Sequence, residues 1–256
     1  MVAIKTIKTD EKCPIHHVNL VKIGNCDPFC TLCTREEVNQ EKKQLDIANT
    51  MNIVRGNLRR NSLVDDPSEF SHTFDNFKAP EGSKEAQMKA LARSIAGEYF
   101  KDKTTKFNTL MYGTPGEGKT HLAMAMLNAV NKYSDPPQTC LFINVNSLFL
   151  AIRDSFDDPT AKWTEKYAVR QLSKVDLLVI DDLGSESAMN ASKSEASNFI
   201  QRVLYQITNR QKRIIITTNL TMEQLKKSYN PKLISRLLAG SKGHQLDFSG
   251  IKDKRY

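Results

Sequence analysis

From Phe74 onward, short apolar runs alternate with longer segments whose apolar positions recur every three or four residues, the pattern of strands exchanging with amphipathic helices. The spacing predicts helices over 83–101, 118–133, 147–155, 161–172, 193–211, 221–228 and 231–238, and strands over 109–112, 140–145, 176–180, 213–217 and 244–248. Runs such as Leu177-Leu178-Val179-Ile180 and Ile214-Ile215-Ile216 have no polar alternation, as a parallel sheet covered on both faces requires. The expected body is therefore an α/β domain with a parallel sheet flanked by helices. Ahead of it, Val38, Leu45, Ala48, Met51, Val54 and Leu58 form one helical stripe after Thr34, read either as a solvated connector or as a partner-docking helix. The stretch 63–72, with Asp65-Asp66-Pro67, reads as a linker.

Composition narrows the choice. The 256 residues carry 37 basic and 29 acidic side chains, a formal charge of +8, and are 39% hydrophobic. That is enough for a sizeable core, and the positive balance favours polyanionic partners. No apolar run approaches the ~18–20 residues of a membrane span, and the first residues lack the apolar centre of a secretory signal, so a cytoplasmic protein without membrane contact is expected.

The strongest chemical signal is Gly113-Thr114-Pro115-Gly116-Glu117-Gly118-Lys119-Thr120, placed between a predicted strand and a predicted helix and followed by His121. Glycines let backbone N–H groups close on phosphate oxygens, and the helix N-terminus adds positive potential. Lys119 is the candidate partner of the β and γ phosphates, and Thr120 the hydroxyl ligand of Mg²⁺. A second acidic site at the end of a neighbouring strand is supplied by Asp181 and Asp182, the first on the metal side and the second as the base. Glu186 either reaches the same place or is a solvated loop residue. The strand 213–217 runs into Thr217-Thr218-Asn219, which puts Asn219 in position to sense the γ-phosphate or the attacking water.

With these residues in this order, the chain resembles the AAA+ superfamily and, more narrowly, the replicative helicase loaders of the DnaC/DnaI type. The stretches that carry the resemblance are Thr73-Phe74-Asp75-Asn76-Phe77, YGTPGEGKTHLA, LLVIDDLGSE, ITTNL and LISRL, within residues 73–256. The resemblance implies an ATP- and Mg²⁺-dependent ATPase that self-associates through this domain. It further implies loading of a replicative DnaB-type hexameric helicase onto single-stranded DNA. It assigns Arg236 to act on the nucleotide of an adjacent subunit, and Arg255 to a second nucleotide sensor for which Lys252 and Lys254 compete. It also implies DNA contacts between the two ATP motifs, where Lys162, Lys166 and Arg170 offer charge and Trp163 is either a stacking face or a packing residue. Two other readings share these motifs: a transposase-accessory ATPase of the IstB type, and an adaptor that binds nucleotide without hydrolysing it.

Residues 1–62 read as a separate module. Cys13 and His16 are two residues apart, as are Cys30 and Cys33, and 13 residues separate the pairs. Two such pairs can close a tetrahedral Zn²⁺ site, and a head this small has no competent core without one. His17 is an alternative to His16, and Cys26 to one of the later ligands; a reduced, unstructured arm is the other reading of the head. Small zinc heads of the DnaI kind bind the helicase, which the resemblance extends to this segment.

Overall fold

The computed structural model describes residues 6–158, 160–186 and 195–253. Two compact units divide between Ile53 and Val54. In the first, β1 (Thr6–Lys12) and β2 (Asn19–Ile23) form an antiparallel pair, and α1 (Thr31–Asn61) begins directly after Cys30 and runs across the division. The hairpin was not legible in the sequence, because β1 is almost wholly exposed and neither strand gives an apolar alternation. The helix starts before Thr34, so Cys33 lies in its first turn.

The second unit contains α2 (Lys84–Lys101), β3 (Thr109–Tyr112), α3 (Lys119–Tyr133), β4 (Cys140–Asn144), α4 (Val145–Asp154) and α5 (Glu165–Leu172). It continues with β5 (Leu177–Leu183), α6 (Glu195–Arg210), β6 (Ile214–Thr218), α7 (Met222–Ser228), α8 (Pro231–Leu237) and β7 (Gln245–Asp247). The five strands make one parallel sheet in the order β4-β5-β6-β3-β7. Each strand side is buried. Leu141, Ile143, Leu178, Ile180, Ile214 and Ile216 face a core shared with α4, α5, α6 and α8. Phe142, Leu177, Val179, Ile215 and Met111 face the other, shared with α2 and α3. Among the described residues no helix is long and apolar enough to cross a membrane.

Helix starts follow local chemistry. Ser83 and Thr164 accept from the N–H groups of Ala86 and Tyr167, Thr221 and Gln224 cap α7 reciprocally, and Asn230 caps α8 ahead of Pro231. The expected helix 161–172 accordingly begins only after the Thr164 cap.

Two segments depart from the sequence reading in ways that shape the site. The strand expected to stop at Ile180 continues through both aspartates to Leu183, which pairs with Thr218 after a register shift. The stretch 63–72 is hydrogen-bonded into the second unit. Leu63 forms a parallel bridge to Ile143, with its N–H to the Phe142 carbonyl at 2.9 Å and its carbonyl accepting from Asn144 at 2.8 Å. A 3-10 turn, Pro67–Ser71, follows, capped by Asp66.

Asn108 joins the far end of the fold to the sheet. Its amide donates to the carbonyls of Arg236 and Leu237 at 2.9 and 3.1 Å, and its side-chain oxygen accepts from Ile214 at 3.1 Å. The residue is 1% exposed, so Asn108→Ala strands buried backbone groups at the end of α8 and the start of β6. The expected cost is about 2–3 kcal/mol, measured by urea unfolding followed through the sole tryptophan, Trp163. A change below about 0.5 kcal/mol would contradict this anchoring role.

Candidate functional site

The turn after β3 and the first residue of α3 build the phosphate-sized end of a cleft of ≈ 430 Å³, within the ~300–1,000 Å³ of ordinary ligand sites. Gly118 enters the helix at φ +92°, and a side chain there would strike the Phe77 ring, so only glycine fits both the backbone and the packing. Lys119, 6% exposed, is folded over the turn, its Nζ donating to the carbonyls of Gly113 at 3.1 Å and Thr114 at 2.6 Å. Glu117 is fully buried beneath it. One carboxylate oxygen accepts from the Thr114 hydroxyl at 2.7 Å; the other has no hydrogen-bond partner among the described residues and lies 3.9 Å from Lys119 Nζ.

Across the cleft, Asp181 is buried at the end of the apolar run. It accepts from the Thr217 hydroxyl at 2.7 Å, and Thr120 lines the same cleft. Thr217 in turn accepts from the Asp182 N–H at 2.9 Å. Asp182 has φ +55°, a left-handed conformation uncommon outside glycine, and Asn219 donates to its carboxylate at 2.7 Å. One residue pair thus gives its two carboxylates different partners: Asp181 takes Thr217, and Asp182 takes Asn219.

Pro115, Gly116, Gly118, Lys119, Thr120, Asp181, Asp182 and Asn219 all line the cleft. Gly113, Thr114 and Glu117 do not: Glu117 is buried beneath the turn, whereas Thr114 is exposed. His121 is likewise turned away: its Nε2 meets the Thr73 carbonyl at 3.0 Å and Asn76 at 2.9 Å, and its ring stacks on His72. His121 therefore packs against the segment before α2 and does not line the cleft. Arg236 is half-buried on α8, outside the lining, and Arg255 falls outside the described residues. Glu186 matches neither of its two readings. It is buried, accepts from the Gly184 N–H at 2.8 Å, and takes the Tyr229 hydroxyl on its other oxygen. Trp163 is 9% exposed in the core against Tyr167, which settles it as a packing residue, while Lys162, Lys166 and Arg170 remain exposed.

Sequence reasoning missed Asp65, Glu69, His72 and Asn144 as lining residues. Asn144 sits at the end of an apolar strand, a signal comparable to that of Asn219; the other three lie in the supposed linker and left no signal. Burial pushes the Glu69 carboxyl up to about 7, helped by the charges of Asp181, Asp65 and Asp66. Burial also pushes Asp181 up to about 6, against the Thr217 hydroxyl donor and with the charges of Asp182 and Asp65. Crowded oxygen donors of this kind fit a hard divalent cation.

The first unit holds a second cluster. Cys13, His16, Cys30 and Cys33 place one ligand atom each within 4.8 Å of one another, with His16 Nδ1 at 3.8, 3.6 and 3.3 Å from the three sulfurs. Glu36 meets the opposite ring nitrogen at 3.2 Å, so Nδ1 is the atom presented to the sulfurs. Cys26 and His17 are exposed and take no part. Three thiols and one imidazole in this arrangement are compatible with zinc.

Residues 69–243 match the bacterial DnaA ATPase domain. The chain belongs to this family. It is an AAA+ protein with the α/β architecture of DnaC- and DnaI-like loaders. It is 31% identical over 208 residues to YdaV, an uncharacterized protein of Escherichia coli K12, covering 79% of this chain and 72% of YdaV. The replicative helicase loader DnaC of the same organism is 26% identical over 170 residues, 66% of this chain and 64% of DnaC, so the match spans slightly less than two thirds of that relative. In fold, the AAA+ chain is similar to the crystal structure of DnaI, with a TM-score of 0.54 at 21% identity over 76% of this chain and 96% of that one. AMPPCP-bound DnaA from Aquifex aeolicus gives 0.52 at 20% identity over 74% and 53%.

The Asp181 environment has a direct thermodynamic consequence. Its carboxyl rises from the usual 3.8 to about 6 on folding. The stability contributed by that proton is therefore full below pH ~3.8 and is lost as pH rises through about 6. Without nucleotide, Asp181→Asn is expected to stabilise the AAA+ unit by roughly 2 kcal/mol near pH 7.5, with the gain vanishing near pH 4. Urea unfolding at the two pH values checks this; destabilisation at pH 7.5 would contradict it.

Proposed function

We propose that this AAA+ protein is an ATP-dependent loader that places a DnaB-type hexameric replicative helicase on single-stranded DNA, acting in the cytoplasm. The reading is carried by one observation: the phosphate turn, through Lys119 and Thr120, and the acidic strand end, through Asp181 and Asp182, line one cleft. The similarity to DnaC and to DnaI supports the choice of cargo.

In this reading Gly113 to Thr120 wrap the phosphates with backbone N–H groups, and Lys119 leaves the Gly113 and Thr114 carbonyls to meet the β and γ oxygens. Thr120 and Asp181 hold Mg²⁺, which when bound neutralises charge building on the phosphoryl oxygens. Asp182 accepts the proton of the attacking water, and Asn219, already bonded to Asp182, fixes the direction of that carboxylate. Arg236, on α8, does not line its own cleft, which suits a guanidinium that completes a neighbour's site in a self-associated assembly. Exposed Lys162, Lys166 and Arg170 supply charge for the DNA backbone. Cys13, His16, Cys30 and Cys33 bind zinc, which supplies the folding energy of a head that docks on the helicase.

Lys119→Ala should abolish ATP binding, whereas Arg236→Ala should leave binding intact and lower hydrolysis by on the order of 10³. Mixing the two variants should restore part of the lost activity, since each provides what the other lacks; no recovery on mixing would refute action between subunits. Purified chain should also carry stoichiometric zinc by elemental analysis. Cys33→Ser should lose the metal together with co-purification of a DnaB-type helicase while retaining ATP binding. Helicase capture by the zinc-free variant would overturn the role given to the head.

A further inference from the structure

The segment 63–72 is fixed from both sides of Glu69. Upstream, Leu63 is hydrogen-bonded to β4, and Asp65 accepts from the Ser147 hydroxyl at 2.6 Å. Downstream, the amide of Asn128 on α3 donates to the carbonyls of Phe70 at 3.1 Å and His72 at 2.8 Å. The turn between them is closed by Asp66, which accepts from the Ser68 N–H at 2.8 Å and its hydroxyl at 2.6 Å. These anchors hold the backbone. They leave the Glu69 side chain in the lining of the cleft that also contains Lys119, Thr120 and Asp181.

Glu69 gains little from that position by itself. Its Oε2 is shielded from solvent and has no hydrogen-bond partner among the described residues, and the charges nearest it are those of Asp181, Asp65 and Asp66. A carboxylate oxygen withdrawn from water and faced by other acids is unfavourable unless a cation joins the group. The Lys119 Nζ donates to the Gly113 and Thr114 carbonyls and, in the reading above, moves to phosphate oxygens. In that reading the cation that accompanies the nucleotide is a divalent ion.

We infer that Glu69 is a positioning residue for the divalent cation of the nucleotide cleft, contributed by the segment that joins α1 to the ATPase core. Resting on the nucleotide reading above, the inference extends the metal side of the site beyond Thr120 and Asp181. Mg²⁺ keeps much of its water shell when bound by proteins, so the Glu69 carboxylate acts by accepting hydrogen bonds from metal-bound water. Cation binding thereby draws on a residue outside the P-loop and the acidic strand end, and clamps the segment 63–72 over the cleft.

The test is Glu69→Gln in the full chain, with a fluorescent ATP analogue titrated in EDTA and across a Mg²⁺ series. Affinity in EDTA is expected to stay within about twofold of wild type, or to tighten as a negative charge is removed near the phosphates. The Mg²⁺ concentration for half-maximal enhancement of binding should rise about tenfold. An unchanged Mg²⁺ midpoint overturns the inference. So does an equal loss of affinity with and without Mg²⁺, which is what a purely structural role would produce. If wild type and Lys119→Ala alike bind no analogue, the parent reading fails. If wild type binds with Mg²⁺ and Glu69→Gln shows the same Mg²⁺ midpoint, only the role of Glu69 fails.

Discussion

The hydrogen bond that Asp181 accepts from Thr217 ties the end of β5 to the end of β6, at the cleft that the start of α3 also lines. Burying a carboxylate at the end of an apolar strand is costly, and burial pushes its pKa up. The Thr217 hydroxyl offsets part of that cost and fixes where the acid points, because it is held on β6. The register shift beyond Ile180 and the left-handed backbone at Asp182 follow from the same constraint: consecutive residues of a strand face opposite sides, and only a distortion allows both carboxylates to line one cleft.

Much of this was legible in the sequence, for reasons that differ between elements. Strands such as Ile214–Thr218 are covered on both faces, so their composition alone marks them. The phosphate turn is legible because its function is performed by the backbone, which demands glycine at positions such as Gly118 whatever surrounds it. Asp181, Asp182 and Asn219 are legible because they are polar residues at the ends of buried runs.

The rest was hidden because it depends on pairing across long stretches of chain or on side-chain direction. Leu63 bonds to residues some 80 positions away, and nothing local distinguishes Leu63 from a linker residue. Asp65 and Glu69 became lining residues only through that pairing. His121 follows Thr120 in the motif but projects from another side of α3, and Thr73, Asn76 and His72 happen to lie there. Glu186 looked like a loop acid because its partner, Tyr229, is 43 residues distant.

The two units gather like groups at opposite ends of the hardness scale. The cleft of the second collects carboxylate and hydroxyl oxygens, and the cluster of the first collects three sulfurs and an imidazole nitrogen. Oxygen donors favour Mg²⁺ and sulfur donors favour Zn²⁺, so neither ion competes well for the other's place. The requirement on each side differs as well. A four-donor cluster leaves no coordination position open to a substrate, whereas the oxygen-lined cleft of ≈ 430 Å³ has room for a phosphate chain beside a cation. One chain therefore offers two donor sets of different hardness, one compatible with Zn²⁺ and one that fits Mg²⁺, that need no separate mechanism to sort the ions.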